Sequence, residues 1–186
     1  MSSATDKSTG SKFTFDLKPG CLVYAKGTKM LDPNYLNFSC VDFIIEFKTK
    51  PKLDPFLNLS EWGESKSKSK PFTNLTSSVS TILGQLTAYT TAILSAQYHT
   101  HIFMVLIIED YVRLIRWDHS GMIFTKLTYY NVESHLFDFF ICYDDVGHED
   151  YGHDITVILA SVGNVKCAKD KIPELQEAKN LLDITI

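Results

Sequence analysis

The sequence predicts an α/β domain, a mixed central sheet of about five strands with helices packed around it; an α+β sheet with an extended antiparallel meander is the alternative. Three observations predict this. Short apolar runs such as "CLVYA" (21–25) and "VDFIIEFK" (41–48) sit between turn-rich segments, the pattern of strands. The stretch 78–98 places Ile82, Leu86, Tyr89, Ile93 and Ala96 at three- and four-residue spacing, the period of a helix lying on a sheet. Residues 101–130 then hold three strand-like runs at hairpin rather than crossover spacing, which keeps the α+β alternative open. With 186 residues, 45% of them apolar, the chain is long enough for one core, so a single unit over 13–186 is expected.

Taken in order, "MSSATDKSTGSK" (1–12) is small, polar and aperiodic, a composition that does not repay its ordering entropy, and is expected to be a disordered tail. The runs 21–25 and 41–48 can pair as antiparallel neighbours across "GTKMLDPNYLNFS". The Ser–Lys alternation at 65–70 makes 59–71 a mobile surface loop. After the helix and the meander, "VESHLFDFFICY" sets Val132, Leu136, Phe139, Phe140 and Tyr143 on one face of a second helix. "KIPELQEAKNLL" forms a last one, with Pro173 near its start.

One strand carries chemistry. Side chains alternate along 41–48, so Val41, Phe43, Ile45 and Phe47 share one face, expected to be buried, while Asp42, Ile44, Glu46 and Lys48 share the other. A solvated charged face would explain the second set. So would the E-x-K pair of metal-dependent nucleases, in which the carboxylate holds a divalent cation and the lysine orients or activates water.

Composition narrows the other classes. A net charge of −4 gives no global electrostatic footprint for nucleic acid or a membrane surface, so nucleic-acid binding would be local and weak. No apolar run is long enough to span a bilayer and no secretory leader is evident, so an intracellular chain without a membrane partner is expected. Cys21, Cys40, Cys142 and Cys167 lack C-x-x-C spacing and read as buried free thiols in a reducing compartment. His99 and His101, or His148 and His153, have no further partner to complete a metal tetrahedron and read as surface or hydrogen-bonded histidines. Trp117, Tyr111, Tyr129 and Tyr130 lack the basic stripe of a base-stacking platform and read as sheet core. Arg113 and Arg116, three apart on a strand, must face opposite sides.

A strand ending in Glu46-x-Lys48, followed by a helix with Gln85-x-x-x-Tyr89, is similar to the motif pair of RecB-type nucleases in the restriction-endonuclease-like superfamily. Over 17–157, the blocks "LKPGCLVY", "FIIEFKTKPKLDPF", "GQLTAYTTAILSAQYHTHIF", "RLIRWDHSG" and "GHDITV" resemble, in order, the region preceding the kinase-like domain in the fungal-type protein kinase family of basidiomycetes. The resemblance implies a restriction-endonuclease-like core, with the kinase-like domain lying beyond Ile186 and this chain a truncated or shortened relative. No glycine-rich phosphate loop, H-R-D or D-F-G is present, so kinase catalysis is not expected of this chain.

The resemblance also implies a site: Glu46 as metal ligand, Lys48 beside the water, Gln85 positioning either, and Tyr89 packing the helix. It departs from the family where K-P-D is replaced by Lys18-Pro19-Gly20, which removes the expected second carboxylate. Asp32 lies at the far end of the hairpin, Asp42 stands four residues, about 13 Å, from Glu46 along the strand, and Asp16 would need irregular backbone to reach it. His99 and His119 stand where the related blocks carry arginine, which removes two permanent cations. The expected function is therefore a degenerate, non-catalytic nuclease-like interaction or scaffold domain with an unidentified protein partner and no cofactor, or weakly held Mg²⁺. The alternative is a Mg²⁺-dependent phosphodiesterase using Glu46, Lys48 and Gln85.

Overall fold

The computed structural model describes residues 18–24, 27–28, 36–57, 73, 76–147, 150–158 and 160–171. The expected tail at 1–12, the loop at 59–71, Asp16, Asp32, His148 and the last helix beyond 171 lie outside the described residues. The chain divides into two compact units, Met1–Asp154 and Ile155–Ile186, where a single unit over 13–186 is expected from its length.

In the first unit a six-stranded sheet is built from β1 (Cys21–Tyr24), β2 (Val41–Lys48), β3 (His101–Ile108), β4 (Tyr111–Asp118), β5 (Gly121–Phe124) and β6 (Thr128–Tyr129). The spatial order is β1-β2-β3-β4-β5, with β6 also on β4. All neighbours are antiparallel except β2 and β3. A parallel pair needs a long crossover, and here α1 (Ser77–Ala96) lies between the two strands in sequence. A mostly antiparallel open sheet with one such crossover fits both α/β and α+β descriptions.

The helical period of α1 buries Ile82, Leu86, Tyr89 and Ile93 against Ile44, Ile102, Met104, Leu106, Ile108, Ile115 and Trp117. Each fully buried aliphatic side chain contributes roughly 1.5–3 kcal/mol relative to exposure. The helix ends where Gln97 turns extended, and the Gln97 side-chain Nε2 donates to the carbonyls of Phe38 and Val41 at 2.7 and 2.8 Å. That clamp ties the last turn of α1 to the start of β2. On the opposite sheet face α2 (His135–Asp145) lays Leu136, Phe139, Phe140 and Tyr143 over Phe43, Phe103 and Val105. The Phe43 ring meets those of Tyr143 and Phe139 edge-on, at 4.8 and 6.1 Å. Among the described residues of the second unit there is one helix, α3 (Val162–Lys171), in a stretch without a strong periodic signal. Ile155, Ile158 and Val162 are exposed.

Several expectations are corrected. On β2 the face with Ile44, Glu46 and Lys48 lies under α1 and is the better covered one, whereas Phe47, expected in the core, is 52% exposed. Alternation assigns the faces correctly from Phe43 to Lys48, and the position of the helix decides which is buried; before that a register shift breaks the alternation and puts Val41, expected with Phe43, in the same core cluster as Ile44. Phe47→Ala is therefore expected to cost less than about 1.5 kcal/mol, against about 3–5 for a Phe removed from a core. Its urea midpoint should stay near the parent's, and a shift in the core range would show that the ring is covered. Cys21 and Cys142 are exposed, because β1 is an edge strand and α2 buries no residue fully; Cys167 is exposed on α3 and Cys40 is half-buried. Of the four aromatic residues expected in the core only Trp117 is buried there. Tyr111 and Tyr129 meet as tilted rings at the end of the β4–β6 pair, hydroxyl to hydroxyl, and Tyr129 is exposed.

Candidate functional site

Strand register assembles the site. Cys21 pairs with Ile45, so Gly20, the residue before β1, reaches the level of Glu46. The Gly20 N–H donates to Glu46 Oε2 at 3.0 Å. Lys48, two residues along the same face, donates from Nζ to Glu46 Oε1 at 2.8 Å and to Gln85 Oε1 at 3.3 Å. Gln85 is presented by α1, and Tyr89, one turn further on, is buried in the core between helix and sheet. Burial, and secondly the negative charge of Glu46, raise the Tyr89 phenol to about 12, against a hydrogen bond with the Lys18 backbone that pulls the other way. The four residues singled out in the sequence are thus brought together where β2 ends beneath α1.

Glu46 is 5% exposed. A carboxylate out of water needs partners for its lone pairs, and here each oxygen has one, an amide on one side and an ammonium on the other. Lys48 is also largely buried, so the pair is an internal ion pair and the solvated charged face is set aside. Position 20 has a second feature. A Cβ built on Gly20 would stand 2.8 Å from Phe47 Cδ2 and 3.0 Å from the Ile45 carbonyl oxygen. Phe47 belongs to the face opposite Glu46, so position 20 aims its N–H at the carboxylate and would aim a side chain elsewhere.

Mg²⁺ or Mn²⁺ requires several hard oxygen ligands, and these residues do not fit one. Glu46 accepts N–H donors at both oxygens, the oxygen of Gln85 accepts from Lys48, and Gly20 presents a proton rather than a lone pair. Asp42 lies at the opposite end of β2, where the register with β1 shifts, and the Tyr143 hydroxyl donates to its carbonyl. Among the described residues no group of three or more His, Cys, Asp or Glu side chains is arranged to hold an ion.

No family model, no curated protein and no solved structure matches this chain.

Two constellations were not legible in the sequence. Arg113, fully buried on β4, forks onto Asp54: Nε and Nη2 donate to Asp54 Oδ2 at 2.8 and 2.6 Å, while Nη1 donates to the Thr125 carbonyl and Nη2 to that of Phe56. The guanidinium carbon also lies 5.9 and 5.5 Å from the stacked rings of Phe56 and Phe124. The partners are 59 residues apart, and only Arg113's place inside an apolar strand hints at a buried partner. Arg116, on the other face, makes a half-exposed ion pair with Asp118 at 3.7 Å, which agrees with the expected opposition of the two arginines. The second constellation joins His99 to His153, 54 residues on, at 2.9 Å. His119 Nε2 lies 3.0 Å from the His99 carbonyl.

Proposed function

We propose that the chain is a non-catalytic interaction domain of nuclease descent, related to the region preceding the kinase domain in fungal-type kinase-like proteins. The observation carrying this reading is the state of Glu46, whose two oxygens are occupied by Gly20 N–H and Lys48 Nζ. In an active site of that descent the carboxylate would face a cation with a second carboxylate beside it, whereas here the lysine serves as the cation. Nuclease descent is supported by the succession of an antiparallel hairpin ending in Glu46-x-Lys48, a helix carrying Gln85 and Tyr89, and a strand parallel to β2. What remains of the site stabilises the junction of β1, β2 and α1, and the domain acts through a protein partner.

The second reading, a Mg²⁺-dependent phosphodiesterase, is favoured by the convergence of Lys48 with Glu46 and Gln85. Calorimetric titration with Mg²⁺ and Mn²⁺, beside nicking of supercoiled DNA, separates the two. Heats no stronger than millimolar binding and intact DNA are expected. Metal-dependent nicking that disappears in Glu46→Gln would replace the interaction-domain reading with the enzymatic one.

A further inference from the structure

Where β3 begins, the chain is crossed by segment 150–154, the last of the first unit. Thr100 N–H donates to the Gly152 carbonyl at 2.7 Å and Asp154 N–H to the Tyr98 carbonyl at 2.8 Å. Between these bonds His99 Nε2 and His153 Nδ1 lie 2.9 Å apart, with ring planes at 77°. His101 Nε2 lies 3.3 Å from the Asp150 carbonyl. His99 is 3% exposed, and its Nδ1 is buried with no hydrogen-bond partner.

We propose that the His99–His153 pair is a proton-operated latch: with both rings neutral it holds segment 150–154 across the start of β3, and proton uptake releases that segment.

The argument begins with proton counting. One proton occupies the 2.9 Å contact, donated by one ring nitrogen and accepted by the other. A second proton there would set two N–H groups against each other and two charges on rings whose centroids are 4.2 Å apart. Protonating His99 alone puts an N–H on both ring nitrogens, and the one at Nδ1 lies inside the protein without an acceptor, which is costly. The charged groups around the pair come from three places. His101 lies on the same strand; Arg116, Asp118 and His119 come from β4 and its turn; Asp150 and Asp154 flank His153. His119 lies against the His99 carbonyl, not its ring. Burial first, then His153 and His101, lower the His99 pKa to about 4. His101 is lowered as well, by burial and then by Arg116, with Asp150 and Asp118 opposing.

The sign follows from linkage. The latched state binds fewer protons than the released one, whose histidines titrate near 6.5. The latch is therefore at full strength above about pH 6.5 and weakens as pH falls from there toward 4. In that window each pH unit raises the released fraction about tenfold per histidine held neutral.

Amide exchange on the full chain tests this, with protection factors corrected for intrinsic rate. Protection at Thr100 and Asp154 should be constant above pH 6.5 and fall at least about tenfold per unit between pH 6 and 5, while Met104 and Val105 in mid-strand hold theirs. His153→Phe, which removes one of the two ring nitrogens of the contact from a half-buried position, should give at pH 7 the low protection that the parent shows at pH 5. Protection at Thr100 and Asp154 that is flat from pH 7 to 5 would overturn the latch. So would a parallel loss at Met104 and Val105, or a His153→Phe variant that keeps the parent's pH dependence.

Discussion

Arg113→Met is expected to destabilise the fold by about 3–5 kcal/mol, the cost of leaving one member of a buried ion pair unpaired. Methionine matches the aliphatic stem but supplies none of the donors. Asp54 would keep only the Phe56 N–H at 3.0 Å, and the carbonyls of Phe56 and Thr125 would lose theirs. The single variant therefore strands a carboxylate between β4 and the segment after β2. Arg113→Met combined with Asp54→Ala removes both charges and should recover a substantial part of the loss, because the penalty lies in the stranded charge more than in the missing bond. Urea unfolding of the parent, both single variants and the double variant closes the cycle. A single variant within about 1 kcal/mol of the parent would mean that water reaches Asp54.

Gly20→Asp is expected to cost about 1–3 kcal/mol, the range for overpacking, and to leave Mn²⁺ affinity unchanged. From the sequence alone the opposite is expected, since the strand pairing sets position 20 against Glu46 and the related motif carries Asp there. The pairing is as expected, but the side-chain direction differs: the new Cβ meets the Phe47 ring and the Ile45 carbonyl oxygen. Phe47 is half in water and its ring can yield, so Gly20→Asp with Phe47→Ala should regain much of the loss. Calorimetry with Mn²⁺ on the folded variant is the direct check. Binding tighter than the parent's, abolished by Glu46→Ala, would show that the Asp reaches Glu46 after all and would restore the account of a site lacking one ligand.

Much of the first unit was legible because its signals are local. The period of α1, the hairpin of β1 and β2 and the antiparallel meander follow from spacings within a few residues, and so does the common face of Glu46 and Lys48. What was not legible depends on which layer lies over which face. Nothing in "VDFIIEFK" says that a helix will cover Glu46 and leave Phe47 half in solvent. Asp54 with Arg113, and His99 with His153, are joined by tertiary folding across more than fifty residues. Their spacing carries no period. Position 20 illustrates a finer limit, for register says which residues are level but not where a bent backbone sends a Cβ.

The register across β2, β3 and β4 places Glu46 beside Leu106 and Leu106 beside Arg113. An acid and a base therefore stand two strands apart on one sheet face, about 10 Å at the usual strand spacing, with a fully buried leucine between them. Each has taken a different partner, Glu46 its neighbour Lys48 and Arg113 the distant Asp54. Leu106 acts as an insulator: it denies the two charges a shorter circuit to each other, so the pairing pattern has a single solution. A smaller residue there would open a competing wiring, in which Glu46 turns toward Arg113 and both Lys48 and Asp54 are left without their counter-charges.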